Sequence, residues 1–483
     1  MKTMMLVAVA TLACAAPLSA QRPDRSAPPK LAEPPTLSLP PIHDQRLSNG
    51  LRVLLMEKHE VPVVGIAVMV RAGSANDPAD RIGLASLAAD MMDEGAGSRN
   101  ALELADAVDV LGAQLRASAS THAMGASLYT AVARLDDALP LLADVVLRPT
   151  FPADELERKR ASRLTSLLQA YDEPRIVASV LFNRTLYGAR HPYGYPAVGD
   201  EASIRAISVA DLTRFHDTYF TASNATIIVV GDVTPAALLP KLEVAFGKWA
   251  AGNPPKLVLP AARQVARREV LLVDKPGAPQ SEIRIGRIGA ARQTEDYYAI
   301  VVMNTILGGS FTSRLNQNLR EDKGYTYGAS SSFAFRLDPG PFLASSAVQT
   351  EVTDKALAEF FKEFDGIRRP IPVEDVTRAE NYEALGYPGG FQSVDDIAGN
   401  IAELVQYGLP LDYFNHYVAR ILGVTPIQVE AAARRYVDPS TMVVVVVGDR
   451  AKIEAGVRAL KLGPVRVLSV EDVLGKKPQL GSQ

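Results

Sequence analysis

Six histidines, at positions 43, 59, 122, 191, 216 and 416, are the side chains of this 483-residue chain best suited to hold a metal or to move protons. Their spacing withholds that chemistry. A zinc hydrolase needs roughly three protein ligands and an open position for water, and two histidines four residues apart on one helix meet that geometry. Here no two histidines lie closer than 16 residues, so no helical pair exists. The one cysteine, Cys14, falls in the N-terminal apolar run. No serine, histidine and aspartate stand in a nucleophile-elbow context. Gly308-Gly309 suggests a phosphate loop but lacks the Lys-Ser/Thr that such a loop requires. What glycines do supply there is backbone freedom and close approach.

The elements that must position any chemistry belong to a folded globular chain, with 47% hydrophobic and 22% charged residues. Its length exceeds one ordinary core and suits two domains of about 200 residues each. The 51 basic and 54 acidic residues leave a net charge of −3, which gives no electrostatic footprint for nucleic acid. Residues 1–20 read as a secretion signal. Lys2 opens it, an uncharged Ala-rich run follows from Met4 to Pro17, and Leu18-Ser19-Ala20 offers a small-residue cleavage site. The run is too short for a membrane span, which takes about 20 apolar residues. Thr11 stands where a lipoprotein site wants a large aliphatic residue, so Cys14 is a poor lipid anchor. The mature chain then has no cysteine, and a periplasmic or otherwise exported location is expected. Seven prolines between positions 23 and 41 make 21–42 an extended leader.

The mature chain echoes itself. Val53-Leu54-Leu55-Met56-Glu57-Lys58 returns as Val270-Leu271-Leu272-Val273-Asp274-Lys275, and Val229-Val230-Gly231-Asp232 returns as Val446-Val447-Gly448-Asp449. Both echoes hold one offset of 217 residues, as do Pro62 with Pro279 and Tyr219 with Tyr436. A period this long excludes a solenoid, whose repeats run roughly 20–50 residues, and points to two tandem copies of one domain. Asn49-Gly50 ahead of an apolar run signals a hairpin, with strands over 52–58 and 63–71. Helices are expected over 83–95, 101–113, 136–146, 152–170 and 208–219, the last capped by Ser208 with Asp211 three places on. Short apolar strands over 226–230 and 442–447 are expected at sheet centres. The domains are 43–248 and 269–460, joined by a linker over 249–268 rich in Gly and Pro. Residues 461–483 read as a tail.

The first of these helices opens Gly83-Leu84-Ala85-Ser86-Leu87-Ala88-Ala89-Asp90-Met91. Here the chain resembles the pitrilysin-like M16 (inverzincin) peptidases and their processing-peptidase relatives, whose motif is Gly-Leu-Ala-His-x-x-Glu-His-Met. Ser86 and Asp90 stand where the zinc-binding histidines would be, and Ala89 where the catalytic glutamate would be. The third ligand of the family, a glutamate on the later charged helix, aligns with Ser166. The resemblance therefore implies no metal in this chain, and Asp90 alone reads as a solvated or hydrogen-bonded helix residue. The segment Leu47 to Val53, the block His191-Pro192-Tyr193-Gly194-Tyr195-Pro196 and the strand end Val230-Gly231-Asp232 extend the likeness over about residues 43–460. It implies an α+β fold of two homologous tandem domains, each a mainly antiparallel sheet flanked by helices, together forming half of a peptidase chamber.

The second copy keeps what the first has lost. In the family, an Arg and a Tyr seven residues apart bind the scissile carbonyl from across the cleft, and Arg320 and Tyr327 match that spacing. A guanidinium and a phenol are donors suited to a tetrahedral oxyanion. From residue types alone, Arg320 reads as surface and Tyr327 as sheet packing. Gly308, Gly309 and Ser310 form the glycine turn leading into a substrate-lining helix in family terms. Some bacterial members work as heterodimers. The resemblance implies a non-zinc subunit whose partner is a homologous M16 chain carrying His-x-x-Glu-His, with the zinc, the water and the general base in that partner and a peptide as substrate. The alternative is a catalytically silent structural or peptide-binding homologue.

Overall fold

The residues that echo at an offset of 217 form the centres of two six-stranded sheets. A computed structural model describes residues 37–479. The expected signal over 1–20, with Cys14, and most of the proline-rich leader lie outside them. The first sheet contains β1 (His43–Arg46), β2 (Arg52–Glu57), β3 (Val63–Val70), β4 (Gln114–Ala119), β5 (Met124–Ala131) and β6 (Ala225–Gly231), in the order β1-β2-β6-β3-β5-β4. The second contains β7 (Glu269–Asp274), β8 (Gln280–Ile288), β9 (Thr326–Phe333), β10 (Pro341–Gln349), β11 (Val443–Gly448) and β12 (Val465–Ser469), in the order β12-β7-β11-β8-β10-β9. Four of the five neighbouring pairs are antiparallel in the first sheet and three of five in the second.

The duplication extends to register. Leu54 pairs with Ile228 as Leu271 pairs with Val445, and Ile66 pairs with Val229 as Ile283 pairs with Val446. A slip of one residue would move every side chain of a strand to the other face of its sheet, so both copies keep the same pairing. The helices Val209–Tyr219 and Pro426–Tyr436 open on matching capping boxes, Ser208 with Asp211 and Thr425 with Gln428. The copies part at one edge. β1 precedes β2 and runs antiparallel to it, whereas β12 comes from the chain end and runs parallel to β7. The stretch read as a tail therefore supplies a strand and the short helix Val470–Leu474.

Both faces of each sheet centre are apolar. Val53, Leu55, Ile66, Val68, Ile227 and Val229 pack against helices of their own half, including α1 (Leu84–Met92). The alternate residues Leu54, Met56, Ile228 and Val230 join Val394, Ile397 and Ile401 of a second-half helix, as the two-residue period of a strand requires. In the second sheet Val270, Leu272, Ile283, Val444 and Val446 face their own helices. Leu271, Val273, Val443, Val445 and Val447 pack against Val177, Leu181 and Phe182 of a first-half helix. This explains the unbroken valine run Val443–Val447, whose residues are all fully buried. After the charged helix α2 (Ala153–Ala170) comes α3 (Pro174–Tyr187), which covers the second sheet. In the second half, after α4 (Tyr297–Asn304) and α5 (Thr353–Ile367), α6 (Val394–Tyr407) covers the first sheet. Each sheet is flanked by helices, as expected, and one of them on each sheet comes from the other half.

A second joint links the halves. The hydroxyl of Tyr193, in the His-Pro-Tyr-Gly-Tyr-Pro block, lies 2.8 Å from His122 Nε2. The Arg336 guanidinium, from the turn between β9 and β10, sits 4.3 Å over the Tyr193 ring. His122 is 5% exposed and its Nδ1 has no partner. Burial, helped by Arg336, pulls its pKa down to about 4. Among the described residues no helix is long and apolar enough to cross a membrane.

Two outcomes follow from this packing. Phe182 is 1% exposed, and Phe182→Ala should cost about 3–5 kcal/mol in urea unfolding while keeping a single transition for both halves. His122 is neutral when folded and titrates near 6.5 when unfolded. The unfolded chain therefore binds the extra proton between pH 6.5 and about 4. The contribution is complete above 6.5 and is lost on acidification through that window, by roughly 3 kcal/mol. Urea unfolding of the natural chain and of His122→Gln at pH 4.5 and 7 should show this extra acid loss in the natural chain alone.

Candidate functional site

The helix that carries Ser86, Ala89 and Asp90 begins at a backbone crossing. Gly83 precedes α1 at φ 94°, and a Cβ there would lie 2.5 Å from the carbonyl oxygen of Val198. Glycine fits both the left-handed angle and the close approach. The first turn is capped from a distance. The Asp77 carboxylate accepts hydrogen bonds from the amides of Gly83 at 2.7 Å and Ala85 at 2.8 Å. Burial pushes that carboxyl up to about 7 despite these two donors.

Along α1, Ser86 and Asp90 lie one turn apart on the same side, while Ala89 is 1% exposed and packed in the core. Between Ser86 and Asp90 lies Arg163 of α2. Its Nη1 donates to Ser86 Oγ at 3.0 Å, and its Nη2 donates to Asp90 Oδ2 at 2.6 Å. Nη1 also lies 3.4 Å from the carbonyl oxygens of Gly83 and Val198. The Ser86 hydroxyl in turn donates to the carbonyl of Ala197 at 2.7 Å. Ser166, the position aligned with a third metal ligand, is not drawn into this group. It is exposed, and its hydroxyl donates to Ser162 O at 3.1 Å.

Zinc does not fit this donor set. One hydroxyl and one carboxylate are present, and both already bond the Arg163 guanidinium. Among the described residues no cluster of three or more His, Cys, Asp and Glu side chains could hold a metal ion.

In the second half the chain departs from regular helix twice. After α4, residues Thr305–Gly309 form a π-helical turn, and Gln317–Asp322 form another. Such turns are rare and concentrate at functional sites. Gly308 and Gly309 close the first. A Cβ on Gly308 would lie 2.3 Å from the amide nitrogen of Ser331, so glycine lets the turn press against β9. Ser310 folds back, its hydroxyl donating to Thr305 O at 3.1 Å. Arg320 lies in the second turn. Its guanidinium stacks 4.6 Å from the centre of the exposed Phe311 ring and meets the Glu321 carboxylate at 3.3 Å. Tyr327 sits on edge strand β9, at an irregularity in register between Thr326 and Ala329, the kind of bulge that re-aims a side chain. It is 91% exposed, so it is not sheet packing.

Both π-helical turns pack against β9, which brings the glycine turn, Arg320 and Tyr327 onto adjoining elements. An asparagine set fixes them. Asn304 exchanges hydrogen bonds with Ser331, Asn316 donates to Phe311 O at 2.7 Å, and Asn318 donates to Glu363 Oε1 at 2.8 Å. Glu363 of α5 also accepts from Arg314 Nε at 2.8 Å. Chemically, the pair Arg320 and Tyr327 can donate hydrogen bonds to an external oxyanion.

An open cleft of about 580 Å³ lies between the first sheet and the later part of α6, with Met69, Ser118 and Gly125 on one wall and Arg292, Glu403 and Tyr407 on the other. Arg292 is fully engaged by Glu403 at 2.7 Å, the Tyr413 hydroxyl at 3.0 Å and the Tyr297 ring at 3.8 Å. It builds the wall rather than offering a free charge.

The residue that sequence reasoning missed is Arg163. The available signal was its place in the buried stripe of α2, beside Leu164 and seven residues after Leu156, where an apolar side chain is the norm.

Comparison with known proteins bears on the fold. Residues 52–196 match the family described as Insulinase (Peptidase family M16), and residues 206–382 match the Peptidase M16 inactive domain. The chain is 26% identical over 402 residues to an uncharacterized zinc protease of Mycobacterium tuberculosis, covering 80% of this chain and 89% of that protein. Its fold is similar to the peptidase M16 inactive domain from Pseudomonas fluorescens, with 28% identity, a TM-score of 0.78 and coverage of 84% of this chain and 98% of that one. It also matches a protease from Helicobacter pylori at 21% identity and a TM-score of 0.78, over 85% of this chain and 100% of that one.

Glu363 is 8% exposed. Glu363→Ala leaves Arg314 without its carboxylate partner and removes one acceptor from the buried Asn318 amide, and should cost about 1–3 kcal/mol in denaturant unfolding.

Proposed function

The chain belongs to the M16 peptidase family, and on that premise we propose that it is the zinc-free subunit of a two-chain metallopeptidase acting on peptides. A homologous partner carrying His-x-x-Glu-His supplies the zinc, the water and the general base. This chain completes the chamber wall. Its own groups bind and orient. The free outer edge of β9 offers main-chain donors and acceptors to an extended peptide. Arg320 and Tyr327 donate hydrogen bonds to the scissile carbonyl oxygen as it gains negative charge. The apolar N-terminal run supports an exported setting for the pair.

The observation that carries this reading is Tyr327, 91% exposed on a bulged edge strand beside the turn that bears Arg320. Packing does not explain so exposed an aromatic side chain, and an acceptor from outside the chain does. The Arg163 pairing on α1 supports the complementary half of the proposal, that the hydrolytic ion resides in another polypeptide.

Reconstitution tests it. The full chain is mixed with a purified homologue that carries the His-x-x-Glu-His motif, and cleavage of a fluorogenic peptide library is followed. Arg320→Ala and Tyr327→Phe should each lower kcat/KM of the mixture by about 10²–10³-fold. Full activity in both variants would instead leave a catalytically silent subunit that contributes only its fold. Cleavage by this chain alone, abolished by a chelator, would overturn the two-chain scheme.

A further inference from the structure

The disagreement between α1 and a zinc site has a specific cause, and its consequence is testable on this chain alone. A metal-binding helix that has only lost ligands leaves a hole or a wet pocket. Here the space between Ser86 and Asp90 is filled. The Arg163 side chain is nearly buried and Asp90 half-exposed. The two Nη groups of Arg163 reach the two α1 positions separately, with a hydroxyl on one and a carboxylate on the other. The remaining contacts run to the carbonyls of Gly83 and Val198, which join the start of α1 to the loop after the His-Pro-Tyr-Gly-Tyr-Pro block. Ser86 closes the ring by donating to Ala197 O. One guanidinium thus ties three segments that are far apart in sequence: α1, α2 and the 197–198 loop.

We propose that Arg163 is a built-in replacement for the metal: it bridges α1 to α2 as a bound ion would, and its fixed positive charge excludes divalent cations from the site. Planar geometry makes the exchange feasible. A guanidinium presents donors in a fork that spans two acceptors one helical turn apart, which a lysine ammonium does not reproduce. The charge balance is local, since Asp90 neutralises Arg163. Asp77 lies close enough to feel its field, and its carboxyl caps the first turn of α1. Inactivity of this half is then a property of α2 as much as of α1. Restoring the missing ligands on α1 does not reopen the site while Arg163 remains.

The proposal is independent of whether a partner subunit exists. Two variants of the full chain decide it. The first carries Ser86→His, Asp90→His and Ser166→Glu with Arg163 retained, and the second adds Arg163→Ala. Each is dialysed against buffered zinc, and metal content is read by mass spectrometry. The second variant should hold about one zinc per chain at a free-zinc concentration where the first holds less than a tenth of that. Equal uptake by the two, whether full or nil, overturns the exclusion. Should the fourfold variant not fold, a double-mutant cycle in the natural sequence judges the bridge. Arg163→Met and Asp90→Asn should each lower the melting midpoint, and the double variant should fall by little more than the larger single shift. Strictly additive shifts would show that the two side chains do not act together and would sink the proposal.

Discussion

The structure depends on an exchange of helices between its two halves. Each central sheet has two apolar faces, because its strands carry hydrophobic side chains at nearly every position. A half folding alone could cover only one. α3 leaves the first half to lay Val177, Leu181 and Phe182 on the second sheet, and α6 returns to lay Val394, Ile397 and Ile401 on the first. Burial of each such side chain is worth about 1.5–3 kcal/mol. Large apolar contacts of this kind fix the halves rigidly instead of leaving them to hinge. The free edge of β9 and the cleft beside α6 therefore hold set positions relative to each other.

On this shared scaffold the two copies have diverged in opposite directions. In the first, the helix that would hold chemistry is closed from within. Ala89 is packed against the core, and Ser86 and Asp90 are occupied by Arg163. Ser86 Oγ and Asp90 Oδ2 both have internal partners, which suits stability. In the second, two π-helical turns interrupt the regular structure and β9 loses register at Tyr327. These irregularities cost backbone hydrogen bonding, and buried asparagines and Glu363 offset part of that cost. A polar network of Asn304, Asn316, Asn318 and Glu363 keeps these irregular turns in place. Fold and site are separable properties of a domain, and the comparison of the two copies within one chain shows it directly.

Electrostatic tuning follows the same division. His122 and Asp77 are perturbed chiefly by burial; His122 lies at the joint between the halves, and Asp77 caps the start of α1. Arg292, enclosed by aromatic rings and Glu403, serves a similar joint in the second half. The two groups proposed to meet substrate, Arg320 and Tyr327, are more exposed than these.

The sequence by itself determined the duplication, the sheet centres, the helix caps and the loss of metal ligands. These are written in short-range patterns: an apolar alternation, a Ser or Thr three residues before its acidic or amide partner, a histidine spacing. The pairing of β2 with β6 repeats in β7 with β11, in keeping with the constant offset of 217 residues. What only the tertiary structure decided is which surface each element meets. α3 and α6 are both fourteen residues long, yet their equivalence is hidden because they share an apolar pattern and few identities. Nothing local in either states that it belongs to the other half. Arg163 reads as one more charge on a charged helix until folding brings it to Asp90, 73 residues away in the chain. Contacts at that separation are selected by the packing of whole elements, and no window of neighbouring residues contains them.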